Sequence, residues 1–216
     1  MMEEPMILLE VIGTVAFAIS GALKALRHKT DLLGVITLGI MTATGGGVLR
    51  DLILGDTPPA AFRNPVYLAL AAATSLAVFA AAGYMTGHKE IHMSPRYQLM
   101  LFVMDSLGLG VFTSYGLLKA WTLFPQNAFL CVFSGVVTGV GGGLIRDISV
   151  NELPYIFSKH IYAVAAMAGG IAEMILLNHV SQETAVLCAS LIIILIRFVS
   201  ARYHLNLPRI SGFPEQ

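Results

Sequence analysis

The chain has 216 residues, of which only 12% are charged, thirteen basic and thirteen acidic, for a formal net charge of zero. Soluble domains carry about 25% charged residues, whereas here 56% of residues are hydrophobic and the mean hydropathy is +0.76. This excludes an ordinary soluble enzyme, a disordered segment and a disulfide-built secreted module, and the absence of a basic stripe argues against nucleic acid as a partner. The composition is that of an all-α polytopic membrane protein. Cys131 and Cys188 lie in apolar runs and read as small buried hydrophobes.

A bilayer core of about 30 Å needs about 20 helical residues. Seven segments qualify or nearly qualify: 5–26, 32–49, 65–86, 97–118, 127–145, 160–177 and 183–199. Asp31, Thr57-Pro58-Pro59, His88-Lys89-Glu90, Phe124-Pro125-Gln126 and Asn178-His179 separate them. Arg197 falls inside the last span and reads as snorkelling to the interface. The start is acidic, with Glu3 and Glu4, which argues against a cleavable signal peptide. Seven spans place ten lysines and arginines on one side and three on the other, so the amino terminus is expected outside and the carboxyl terminus in the cytoplasm.

The segment Gly45-Gly46-Gly47-Val48-Leu49-Arg50-Asp51 recurs as Gly141-Gly142-Gly143-Leu144-Ile145-Arg146-Asp147, displaced by 96 positions. The preceding helix repeats at a displacement of 95: Glu10 with Asp105, Gly13 with Gly108, Phe17 with Phe112, Gly21 with Gly116 and Lys24 with Lys119. Each unit holds three spans, an odd number, so the second enters the membrane from the opposite side. The expected architecture is two inverted three-helix repeats, at about 6–86 and 97–178, with a seventh helix at about 183–203.

Three consecutive glycines cost a helix about 1 kcal/mol each relative to alanine and invite kinking or unwinding. Freed carbonyls in a membrane must face protein or a water-filled cavity. The favoured reading is therefore that Gly45, Gly46, Gly47, Gly141, Gly142 and Gly143 line a pathway, together with Thr42 and Thr138. The alternative is close packing through small residues, since Gly39, Ala43 and Gly47 are spaced by four, as are Gly135, Gly139 and Gly143. Arg50 and Asp51 are neighbours and point about 100° apart, as do Arg146 and Asp147, which makes each a poor partner for the other. The expected charge pairs are Glu10–Arg50 and Asp105–Arg146, as gates or as fixed struts, with Asp51 and Asp147 capping backbone or attracting cations at the mouths. Glu173 has no match in the third helix and reads as interfacial. His88 and His92 have metal-like spacing but sit in a polar loop without a third ligand. No catalytic triad, phosphate loop, dinucleotide fingerprint or paired metal cluster occurs, so neither an enzyme nor a cofactor is expected.

The duplicated Gly-Gly-Gly-x-x-Arg-Asp motif in two three-helix units plus a seventh helix resembles the trimeric intracellular cation (TRIC) channels. The likeness is to their short prokaryotic branch, within a broader family of bacterial membrane proteins also labelled glycine transporters. It extends over nearly the whole chain, from about Leu8 to Arg202. The resemblance implies a symmetric homotrimer with a separate pathway through each protomer, passing potassium and, less selectively, sodium. It also implies that kinked helices two and five line that pathway at Gly45–Gly47 and Gly141–Gly143. Animal members carry a lysine-rich tail that this chain lacks, so their calcium-store setting and lipid regulation do not transfer.

The leading functional expectation is a potassium-permeable monovalent cation channel in a prokaryotic inner membrane, with membrane lipids as its surroundings. The alternative is a secondary transporter of a small zwitterion such as glycine, because inverted repeats with broken helices suit alternating access. A structural membrane protein whose buried charges serve packing alone is the third reading.

Overall fold

The chain folds entirely into helices among the described residues, which a computed structural model gives as 4–86, 95–158 and 161–205. The order is α1 (Glu4–Arg27), α2 (Leu32–Leu54), α3 (Ala60–Arg63), α4 (Val66–Thr86), α5 (Pro95–Leu123), α6 (Ala128–Ser149), α7 (Tyr155–Ser158), α8 (Tyr162–Leu176) and α9 (Gln182–Arg202). Among the described residues six helices are long and apolar enough to cross a membrane, which makes this a multi-pass integral membrane protein. The sixth expected span is α8, which has only 15 residues and reaches about 22 Å. His88 and His92 lie outside the described residues.

Local chemistry sets the helix ends. Asp31 accepts a hydrogen bond from the Gly34 amide at 2.8 Å to start α2, and Asn127 accepts from Leu130 at 3.0 Å to start α6. Gly55 ends α2 in the left-handed region, at φ 71°, a conformation that a side chain would strain.

Helices α1, α2, α5 and α6 form the centre. Helix α4 covers α1 and α2, α8 covers α5 and α6, and α9 packs on α5 and α8. Both motif helices stay hydrogen-bonded straight through Gly45–Gly47 and Gly141–Gly143, so the expected unwinding does not occur. The glycines bring helices together instead. A Cβ on Gly46 would run into the Thr138 carbonyl oxygen, and one on Gly142 would run into the Thr42 carbonyl oxygen. A Cβ on Gly21 would lie 2.6 Å from the Leu38 carbonyl oxygen, and one on Gly135 would lie 2.9 Å from the Leu117 Cβ. Without a hydrophobic force between helices in lipid, such backbone-close van der Waals contact supplies the association.

Candidate functional site

At the carboxyl end of α2, the Arg50 Nε donates to Asp51 Oδ1 at 2.8 Å, and Lys119 from α5 reaches the same oxygen at 2.6 Å. The other Asp51 oxygen accepts the Ala60 amide at 2.8 Å, which fixes the start of α3. Lys119 continues to Asp56 at 2.6 Å, and Arg63 reaches Asp56 at 2.6 Å.

The second motif repeats this arrangement at the carboxyl end of α6. Arg146 Nε donates to Asp147 Oδ1 at 2.9 Å, Lys24 from α1 lies 3.2 Å from that oxygen, and the other Asp147 oxygen accepts the Tyr155 amide at 3.0 Å. Lys24 continues to Glu152 at 2.6 Å, and His28 and Arg27 reach Glu152 at 2.6 and 3.3 Å. Lys24 sits where α1 turns into α2 and Asp51 at the far end of α2, so the two clusters occupy opposite ends of the α1–α2 hairpin.

Two expectations need correction. Arg50 and Asp51, and Arg146 and Asp147, are partners after all. The 100° offset holds at Cβ, but the long arginine stem swings its guanidinium back over the neighbouring carboxylate. Glu10 and Arg50 line the same space yet form no ion pair; Glu10 faces the hydroxyls of Tyr67 and Tyr115. The matched pair does form: Arg146 Nη1 lies 2.6 Å from Asp105 Oδ1 and also donates to the Ser20 hydroxyl. Asp51 and Asp147 both cap backbone, as one of the two sequence readings has it.

Burial separates the halves. A cavity of about 190 Å³ opens beside the first motif, lined by Glu10, Thr14, Gly47, Arg50, Asp51, Asn64, Tyr67, Tyr115 and Thr138. Around the second motif Asp105, Arg146, Asp147 and Lys24 are all 0% exposed and Tyr162 is 3% exposed. Gly47 and Gly143 occupy matched positions. A Cβ on Gly47 would stand 3.7 Å from Arg50 Nη2, and one on Gly143 would stand 3.7 Å from Arg146 Nη2.

Of the expected lining residues, Gly47 and Thr138 reach the cavity. Thr42 does not, because it is fully buried against Gly21 with its hydroxyl donated to the Leu38 carbonyl at 2.6 Å. Thr138 makes the same bond to Ser134 at 2.6 Å. Gly45, Gly46, Gly141 and Gly142 are spent on packing: a Cβ on Gly45 would meet Ile145 Cδ1 at 2.6 Å, and one on Gly141 would meet Gly46 Cα at 3.1 Å. Glu173 is 0% exposed within a single chain, beside Ser114, and is not interfacial. Arg197 is 1% exposed and does not snorkel; its guanidinium lies over the Tyr162 and Phe102 rings.

Tyr67, Tyr115, Tyr162, Ser20, Asp56 and Glu152 were not singled out from sequence. Tyr67 matches Tyr162 at a displacement of 95 and Asp56 matches Glu152 at 96, so the repeat itself held the signal. Outside the spans, hydrogen bonds from Lys119 and Arg63 hold the Asp56 carboxyl at about 2. Burial alone would raise Glu152, but hydrogen bonds from Lys24 and His28 and the charges of Lys24 and Arg27 bring it down to about 2.

A family model described as glycine transporter matches the chain twice, at residues 7–83 and 102–178. The UPF0126 inner membrane protein YadS of Escherichia coli K12 is 38% identical over 202 residues, covering 93% of each chain. Among solved structures, one described as a TRIC cation channel is 36% identical with a TM-score of 0.80, covering 96% of this chain and 98% of its own. The trimeric intracellular cation channel orthologue from Rhodobacter sphaeroides is 29% identical with a TM-score of 0.84, covering 94% of this chain and 100% of its own.

Proposed function

The chain belongs to the glycine transporter family, the UPF0126 membrane proteins, and on that premise we propose that it is a monovalent cation channel with one pathway in each protomer of a homotrimer. The observation that carries this is the cavity beside the first motif. Its lining charges are Glu10 and Asp51 against Arg50, an excess of one carboxylate, and Lys119, Asp56 and Arg63 continue the network outward from Asp51. A bare Arg50 would repel cations, but it lies 2.8 Å from Asp51. Glu10 lines the same space, with its Oε2 buried and without a hydrogen-bond partner among the described residues. The cavity thus sets a carboxylate side chain beside a neutralised guanidinium, and a low-dielectric cleft focuses that field on an entering cation.

The layout we read is two inverted three-helix repeats, at about 6–86 and 97–178, with a seventh helix at about 183–203. Its support is the doubled family match and the reciprocal contacts between the halves. Lysine and arginine placement puts the cavity on the outer side and the Asp105–Arg146 pair toward the cytoplasm. That pair, sealed at 2.6 Å and fully buried, acts as the closed gate. No ring of backbone carbonyls strips the ion, since α2 and α6 keep theirs in helical bonds, so potassium and sodium are only weakly separated. The neighbours described as TRIC cation channels support this reading.

The test is planar-bilayer recording of the purified chain in asymmetric potassium chloride. Unitary currents should reverse near the potassium equilibrium potential, and Glu10→Gln should lower conductance several-fold. Absence of unitary current, or reversal near the chloride potential, overturns the proposal.

One observation favours a second reading. Glu10 and Arg50 face the same cavity, which suits the ammonium and carboxylate of one small zwitterion. Saturable uptake of labelled glycine into proteoliposomes, without unitary currents, selects it.

A further inference from the structure

We propose that Arg197, on the helix that stands outside the repeats, is a positioning residue that holds the Asp105–Arg146 gate shut through Tyr162. The inference rests on the gate assigned above. Arg197 is a buried cation at 1% exposure, and its guanidinium lies 4.7 Å from the Tyr162 ring centroid and 5.1 Å from that of Phe102. An ionisable side chain buried in a membrane helix bundle marks function by default, because its placement is costly.

Tyr162 connects the two sites. The point where a Gly143 Cβ would stand is 3.2 Å from the Tyr162 hydroxyl and 3.6 Å from Asp105 Oδ1, so both converge on the second motif. Asp105 in turn holds Arg146 at 2.6 Å. Rotation of Tyr162 away from this point requires its ring to leave Arg197, and a desolvated cation–π contact resists that.

The first half supplies the internal comparison. Its matched tyrosine, Tyr67, lines the open cavity. Helix α9 packs on α5 and α8, the elements of the second half, so α9 is the element available to pin Tyr162 and not Tyr67. Arg197 also brings a buried positive charge up to Tyr162, from an element that stands outside the repeats.

The experiment uses the full chain carrying Cys131→Ala and Cys188→Ala, with Ser20→Cys as a probe beside Arg146. A small cationic thiol reagent reports access to the gate without any need for conduction, and bilayer recording on the same proteins reports open probability and rectification. Arg197→Gln is expected to raise both labelling rate and open probability on the order of tenfold and to reduce rectification. Phe102→Leu should do so by less. Arg197→Lys, which restores charge but presents no flat face, should fall between Gln and Arg in labelling and recover the rectification. Equal labelling in wild type, Arg197→Gln and Phe102→Leu, with unchanged elution on size exclusion, overturns the inference. If wild type passes no current while Arg197→Gln still accelerates labelling, the pinning of Tyr162 stands and the channel reading fails.

Discussion

Replacing Gly46 with alanine places a methyl group against the Thr138 carbonyl of α6, and replacing Gly142 places one against the Thr42 carbonyl of α2. Both obstacles are backbone and neither can rotate aside, so α2 and α6 must move apart. Overpacking by a methyl group costs about 1–3 kcal/mol, and a rigid obstacle belongs in the upper half of that range. Alanine returns about 1 kcal/mol of helix propensity. Each single substitution should therefore destabilise by about 1–2 kcal/mol. The two methyls fill the same separation, so the double variant should lose less than the sum, by about 1 kcal/mol of coupling. Gly83→Ala is the control, since a Cβ there meets nothing within 4 Å; it should be neutral or gain up to about 1 kcal/mol. The assay is reversible unfolding in mixed micelles followed by circular dichroism. If Gly46→Ala matches Gly83→Ala, or if the double variant is strictly additive, the backbone-contact account of the motif is wrong.

The two aspartates of the motif should differ in the same assay. Asp147 is enclosed with Arg146 and Lys24, all at 0% exposure, so Asp147→Asn removes a carboxylate that two buried cations share; Arg146 keeps Asp105 and Lys24 keeps Glu152, and the loss should be about 3 kcal/mol, at the low end for a broken buried pair. In the first half Lys119 is 21% exposed and retains Asp56, and Arg50, parted from its aspartate, faces the cavity where water can reach it, so Asp51→Asn should cost about half as much; equal losses would count against the burial argument. Glu152 titrates at about 2 when folded against an ordinary value of 4.5, so its contribution is complete above 4.5 and lost as pH falls toward 2. Glu152→Gln should flatten the acid limb of a stability profile in that window, and an unchanged acid limb refutes the assignment.

The helices were legible because apolar runs of bilayer length admit few alternatives, and the repeat was legible because five of seven motif residues recur identically in register. Pairings were harder. Asp105–Arg146 followed from matched depth, but the same logic failed for Glu10 and Arg50, where Tyr67 and Tyr115 face the longer carboxylate. Treating adjacent residues as unable to pair neglected side-chain length at Arg50 and Arg146. The glycine run supports either unwinding or close packing on composition alone, and only the partner helix decides. Here that partner is the equivalent carbonyl of the other motif, at Thr42 and Thr138. Hydropathy puts Arg197 within a turn or two of the interface; it does not reveal that Phe102 and Tyr162 hold it inward.

Two halves built on one motif differ in burial, and a few positions account for it. Glu10 stands where the other half has Asp105, and Tyr115 stands where the other half has Ser20, both at a displacement of 95. The small Ser20 lets Arg146 close onto its hydroxyl while Asp105 draws it in at 2.6 Å. The Tyr115 ring, 5.9 Å beneath Arg50, occupies that room in the first half, and the Glu10 carboxylate faces tyrosine hydroxyls there. The deeper framework is shared: each arginine on its neighbouring aspartate, each lysine across to it, each aspartate on the next short helix. Because that framework is common, the cavity-facing and buried arrangements differ by a handful of side-chain contacts rather than by refolding of α2 or α6. A difference of that size corresponds to the few kcal/mol over which a protein populates both states. On the proposed channel reading, the repeated motif supplies two gates of one design, and the departures between the halves set which of them rests closed.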